Sequence, residues 1–129
     1  PQYEENGIGY HPLGELLERS EVVFTCLNKN VILLREEEFE KLGNGKILFN
    51  TSIGPAFEPE DLKKWLNSGD NRFACDTAGA AGDGELIKYP RVFCVNASAG
   101  RTRQAFGILS EKVLDNIRRF LENSKISIV

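Results

Sequence analysis

The chain has 129 residues, enough for one domain with a substantial core, since globular domains commonly run to about 100–150 residues. Its 41% hydrophobic and 27% charged residues, with a net charge of −3, read as globular and give no electrostatic pull toward nucleic acid or an anionic membrane. No apolar run nears the roughly 20 residues that cross a bilayer, and the N-terminus lacks the basic-then-apolar pattern of a secretory leader. A cytoplasmic location is therefore expected. The three cysteines, Cys26, Cys75 and Cys94, are odd in number and sit in apolar runs. That favours buried thiols in a reducing compartment over disulfides or a metal site.

In chain order, Pro12 can open a first helix at its first position, with Leu13, Leu16 and Leu17 on one apolar face. His11, just before it, has no evident carboxylate or cysteine partner and reads as a surface residue. Val22 to Leu27 is the first apolar run. A second helix is expected from Arg35 to Leu42, with Phe39 and Leu42 inward, Gly43 as its stop, and Glu36, Glu37 and Glu38 complementing the helix dipole. Ile47 to Asn50 is the second run. Glu58-Pro59-Glu60-Asp61 opens a third helix whose buried stripe is Leu62, Trp65 and Leu66, and Gly69 ends it. Arg72 to Asp76 is the third run, followed by a long Gly- and Ala-rich loop, Thr77 to Tyr89, of the size that is usually functional or mobile. Val92 to Val95 is the fourth run. Phe106, Leu109, Val113, Ile117, Phe120 and Leu121 then recur at helical spacing and predict a long helix from Thr102 to Asn123. Lys125 to Val129 alternates as a frayed tail or a short edge strand would.

The four runs are rich in Val, Ile, Phe and Cys and do not alternate, the pattern of strands covered on both faces. Strands alternating with helices imply right-handed βα units. The expected fold is α/β: a partial Rossmann-like doubly wound parallel sheet of about four strands, with flanking helices and a long C-terminal helix, forming one domain over residues 1–129.

In such a sheet, ligands bind at the C-terminal ends of the strands, so the residues just past each run carry the information. The second run leads into Phe49-Asn50-Thr51-Ser52-Ile53-Gly54-Pro55 and an acidic helix ending in Asn-Ser-Gly. The third ends in Phe73-Ala74-Cys75-Asp76. The fourth reads Tyr89-Pro90-Arg91-Val92, then Asn96-Ala97-Ser98-Ala99-Gly100. Upstream, Leu16-Leu17 and Ser20-Glu21-Val22-Val23 lead into the first run. In this order the pieces resemble the D-isomer-specific 2-hydroxyacid dehydrogenases, over roughly Leu13 to Glu122. There, strand ends read Asn-Thr-Ala-Arg-Gly, Leu-Asp-Val and Thr-Pro-His-Ile-Ala-Gly.

The resemblance implies an NAD-dependent oxidoreductase fold and marks where this chain departs from it. The family's substrate-holding Arg matches Ile53, the Glu that tunes the catalytic His matches Ala81, and the His itself matches Ala97. Isoleucine offers no charge and alanine no proton; Asp83 or Glu85 are substitutes only for the Glu. On the cofactor side, Asp76 matches the Asp that binds the nicotinamide amide, and Thr51, Ser52 and Ile53 match the triplet along the nicotinamide ribose. Leu27 and Asn28 match the pair beneath the adenosine, with Asn in place of Pro. The phosphate-gripping Gly-x-Gly-x-x-Gly has no counterpart: Gly7-Ile8-Gly9 follows no strand, and Gly79, Gly82 and Gly84 have the wrong spacing. The family's glycine-rich half is expected N-terminal to Pro1, so NAD binding by this chain alone is expected to be weak or absent.

Other residues read more plainly. Trp65 is a packing residue rather than a base-stacking platform. Arg101 and Arg103, at the start of the long helix, read as surface residues, with a cofactor phosphate or substrate anion as the other option. Without neighbours, the Val22 to Leu27 strand is an open apolar edge, which predicts a homo-oligomer through that edge. Three readings stand together: a piece of an active dehydrogenase with an altered site, a regulatory NAD-binding pseudoenzyme, and a self-associating α/β unit with no ligand. No metal site is expected.

Overall fold

The computed structural model describes residues 7–29, 31–98 and 100–125; Ala99 and the expected tail past Lys125 lie outside them. The chain forms two compact units, Pro1–Ala97 and Ser98–Val129. The first holds strands β1 (Val22–Thr25), β2 (Ile47–Asn50), β3 (Arg72–Cys75) and β4 (Val92–Cys94). It also holds helices α1 (Leu13–Arg19), α2 (Glu36–Leu42), α3 (Pro59–Asn67) and α4 (Ala78–Ala81), and a 3-10 turn, Leu86–Lys88. The second unit holds α5 (Arg103–Lys125).

The sheet is parallel throughout, in the order β1-β2-β3-β4, with Thr25 opposite Asn50 and Asn50 opposite Cys75. It is the Rossmann-like α/β arrangement that the strand-helix alternation predicted. Each strand is added on the same side of its predecessor, and a right-handed crossover then puts every connecting helix on the same face. Leu17 of α1, Phe39 and Leu42 of α2, and Leu62, Trp65 and Leu66 of α3 accordingly join Val23, Leu48 and Phe73 in one core. Phe57 meets Phe73 edge-on at 5.1 Å, and the Trp65 indole N–H donates to the Gly43 carbonyl at 2.6 Å.

Several expectations need correction. The strands alternate: Val23, Thr25, Leu48, Asn50, Phe73 and Cys75 face the core. On the other face Val22 is 44%, Phe24 62% and Phe93 61% exposed, and Phe24 stacks on Phe49 at 4.5 Å. Within this unit, then, the strands are not covered on both faces. Cys26 falls past the end of β1 and is exposed, whereas Cys75 is buried and Cys94 half-buried. Pro12 stands at the cap position of α1 rather than inside it, and Leu16 points outward. His11 has a partner after all, the Glu15 carboxylate one turn on, at 3.1 Å. The Thr77–Tyr89 stretch is no open loop: α4 and the 3-10 turn bury Ala80, Ala81 and Leu86 completely.

At the amino edge of the sheet, side chains stitch the turns. Asn71, fully buried, donates to the Trp65 carbonyl at 2.7 Å and accepts from the Lys46 N–H at 3.2 Å. The Asn44 carboxamide oxygen accepts from the Asp70 and Gly45 N–H groups at 2.8 and 2.7 Å. A Cβ at position 69 would collide with the Asn44 carboxamide, which would have to give up its place against the Asp70 N–H. Arg91 has a left-handed backbone (φ 66°), and its guanidinium donates to the Leu66 and Gly69 carbonyls.

In the second unit, the Thr102 hydroxyl caps α5 by accepting from the Ala105 N–H at 3.0 Å. Asp115 and Arg119 pair one turn apart at 2.9 Å, a spacing that adds a few tenths of a kcal/mol to a helix. The periodic side chains Phe106, Leu109, Val113, Ile117, Phe120 and Leu121 are all exposed. Among the described residues, no helix is long and apolar enough to cross a membrane.

Candidate functional site at the carboxyl edge

Parallel strands in register bring all four C-terminal ends to one edge, so the segments starting at Cys26, Thr51, Asp76 and Val95 emerge side by side. The backbone continues the ladder slightly past the strands. The Thr51 N–H donates to the Thr25 carbonyl at 3.0 Å, the Val95 N–H to that of Cys75 at 3.2 Å, and the Ala97 N–H to that of Asp76 at 2.7 Å.

Asn50, fully buried at the end of β2, organises this edge. Its carboxamide oxygen accepts from the Thr25 hydroxyl at 2.9 Å and from the Ser52 N–H at 3.0 Å. Its amide group donates to the Gly54 carbonyl at 3.0 Å and the Ala80 carbonyl at 2.7 Å. The Ser52 bond is an Asx turn, and the turn is completed by Gly54 at φ 98°, a conformation open to glycine. The buried Ser52 hydroxyl in turn accepts from the Leu27 N–H at 2.7 Å.

The residues singled out from the sequence are thereby placed. Leu27 is half-buried and Asn28 exposed; Thr51 is exposed, with its hydroxyl 3.2 Å from the Cys26 thiol. Ser52 is buried, and Ile53, at the tip of the turn, is 70% exposed. Asp76 is half-buried beside Thr77, whose hydroxyl caps α4 at 3.3 Å, and Ala97 is exposed. Leu27 and Ser52 meet directly, and Asp76 and Ala97 meet through their backbones. Ala81 does not join them at the surface: α4 turns its methyl into the core, so it lines no opening. Asp83 and Glu85 are engaged elsewhere, pairing with Lys63 at 3.2 Å and Lys88 at 2.7 Å. The Glu85 N–H and the Lys63 ammonium hold the Asp83 carboxyl below the usual carboxylate range.

Burial pushes the Cys75 thiol up to about 12, aided by the Cys94 thiol and the neighbouring Asp76 charge, so Cys75 is a neutral packing group rather than a nucleophile. A cleft of about 550 Å3 runs along β4, lined by Ala78, Ile87 and Val92 to Asn96. A smaller groove of about 160 Å3 between α2 and α3, over Phe39 and Trp65, belongs to the helical layer. Among the described residues, no cluster of three or more His, Cys, Asp or Glu is placed to hold a metal ion. Sequence reasoning assigns Asn50 no role, although it stands within the strand-end motif. The available signal was a strongly polar residue ending a strand that packs into a core.

A family model described as D-isomer specific 2-hydroxyacid dehydrogenase, NAD binding domain, matches residues 1–95. A curated hydroxypyruvate reductase of Blautia hydrogenotrophica is 26% identical over 136 aligned positions, covering 100% of this chain and 42% of that protein. D-lactate dehydrogenase from Aquifex aeolicus, solved with NAD and lactic acid, shares the fold at a TM-score of 0.73 and 18% identity, over 93% of this chain and 43% of that one. The apo D-mandelate dehydrogenase of Rhodotorula graminis aligns at a TM-score of 0.72 and 26% identity, over 86% of this chain and 34% of its own. The chain thus spans less than half the length of these relatives. With the parallel sheet and the matched strand ends, these likenesses establish that the chain belongs to the D-isomer-specific 2-hydroxyacid dehydrogenase family, in that family's NAD-binding domain.

Proposed function

We propose that this chain forms part of the NAD-contacting edge of a D-2-hydroxyacid dehydrogenase-type protein and carries out no dehydrogenation by itself. The observation that carries the reading is the set of aligned strand ends, where Leu27, Thr51 to Ile53 and Asp76 lie along one edge of a parallel sheet. These residues fit one side of a dinucleotide. Thr51 and Asn28 are exposed polar groups, Leu27 offers an apolar contact, and the half-buried Asp76 carboxylate suits an amide donor. NAD, when bound, supplies the hydride chemistry; the chain's own part is to bind and orient. The buried Ser52 hydroxyl accepts from the Leu27 N–H and so shapes the turn.

Acid–base catalysis needs a group that moves a proton, and binding a carboxylate needs a positive charge. Ile53 and Ala97, both exposed at this edge, supply neither, and Ala81 is in the core. Titration with NADH, followed by its fluorescence, should show weak binding or none, and reduction of 2-keto acids should stay at background. Turnover by this chain would overturn the inactive reading. A regulatory role without turnover is the alternative, and the free thiols fit a reducing cytoplasm.

Self-association is a second reading, favoured by the position of β1 at the sheet margin with Val22 and Phe24 exposed. Light scattering over a range of concentrations should show dimers; a monodisperse monomer at high concentration would remove it.

A further inference from the structure

We propose that Asn50 is the positioning residue of the carboxyl edge, its side-chain amide holding the Leu27, Ser52–Gly54 and Ala80 segments in the register that a bound dinucleotide requires. The inference rests on the cofactor reading above for the ligand, and on four hydrogen bonds for the geometry. Both lone-pair directions of the Asn50 oxygen and both N–H groups are used, by Thr25, Ser52, Gly54 and Ala80, so the side chain is saturated. These partners come from β1, from the turn after β2, and from α4 after β3. They are the segments next to the proposed ligand residues Leu27, Thr51, Ile53 and Asp76. A purely cohesive residue would need no such spread. Ser52 extends the chain of contacts to Leu27, so a shift at Asn50 moves all three segments together.

An aspartate at this position keeps the shape and the accepting oxygen. It can donate to Gly54 or Ala80 only while protonated; ionised, it faces two carbonyl oxygens in a buried site. None of its four partners carries a charge, and the opposing Cys75 thiol is neutral. In Asn50→Asp, hydrogen exchange at the Leu27 and Ser52 amides should match the native chain near about pH 5 and, corrected for intrinsic rate, run on the order of tenfold faster near about pH 8. Leu48 and Phe73, in the strands, should keep their protection at both. Thr25→Val removes one anchor and should speed exchange at Leu27 and Ser52 by a smaller factor at both pH values, with Leu48 and Phe73 still protected, which preserves the test if the aspartate variant unfolds when ionised. Equal loss of protection at Leu48 and Phe73, or no change at Leu27 and Ser52, would overturn the proposal. The same samples titrated with NADH separate the two ideas. A native chain that ignores NADH defeats the cofactor reading and leaves the exchange pattern to judge Asn50. A native response that weakens in Thr25→Val, at unchanged Tm, supports both.

Discussion

The two ends of the sheet are each tied by a fully buried asparagine, yet the ties do different things. At the amino end, Asn71 joins the end of α3 to the entry of β2, and Asn44, Gly69 and Arg91 pack the surrounding turns against one another. At the carboxyl end, Asn50 holds a turn whose outward side is left open, with Thr51 and Ile53 exposed at its rim. The same side chain thus closes one edge and presents the other. A buried amide has four hydrogen-bonding positions to fill, and the backbone around it decides whether filling them seals a surface or displays one.

Breaking the closed end should have the largest effect. Asn71→Leu strands the Lys46 N–H and takes one of several donors from the Trp65 carbonyl, which keeps the Ser68 hydroxyl, and should lower stability by about 1–3 kcal/mol, read from the urea midpoint. A loss under about 0.5 kcal/mol would show that the amino end is not sealed by this residue. Ser52→Ala, at the open end, removes one acceptor and should cost about 1–2 kcal/mol.

The Cys75 thiol gives a test by pH alone. Its folded value, about 12, lies above the ordinary 9.0, so the unfolded chain gives up the proton first as pH rises. The stability this contributes is complete below about 9 and drains away as pH climbs toward about 12. Thermal melts should therefore fall more steeply across that alkaline window in the native chain than in Cys75→Ala. The smallest effect is expected for Ile53→Arg, which should leave the Tm nearly unchanged because the side chain stands in solvent. It would place a guanidinium at the rim, and protection from thermal unfolding by added carboxylates should then exceed that of the native chain.

Strand positions were legible because Val, Ile and Phe cluster in short runs punctuated by polar residues. Which face they covered was not. Val22, Phe24 and Phe49 on one side are as apolar as Val23 and Leu48 on the other, and that hid the alternation. The segment after Asp76 was misread for the opposite reason: Ala80 and Ala81 are too small to mark a helical stripe, although both are fully buried. Trp65, Leu62 and Leu66 were read correctly because a large apolar stripe, a proline start and a glycine stop agree. At the candidate site, the ordered strand ends could be found from sequence alone. The tie among them could not, since it joins residues that are distant along the chain and meet only once the register is set.

That register has a kinetic corollary. Thr25 pairs with Asn50 at a separation of 25 positions, and Asn50 pairs with Cys75 one step further along the same progression. Successive closures thus span loops of similar length, each with a similar entropic toll that grows only slowly with loop size. Among the described strands, no pairing has to wait for a distant segment to return between two others. Assembly can advance strand by strand from either margin, as links are added to a chain, and a nascent polypeptide could begin it before its last strand is made.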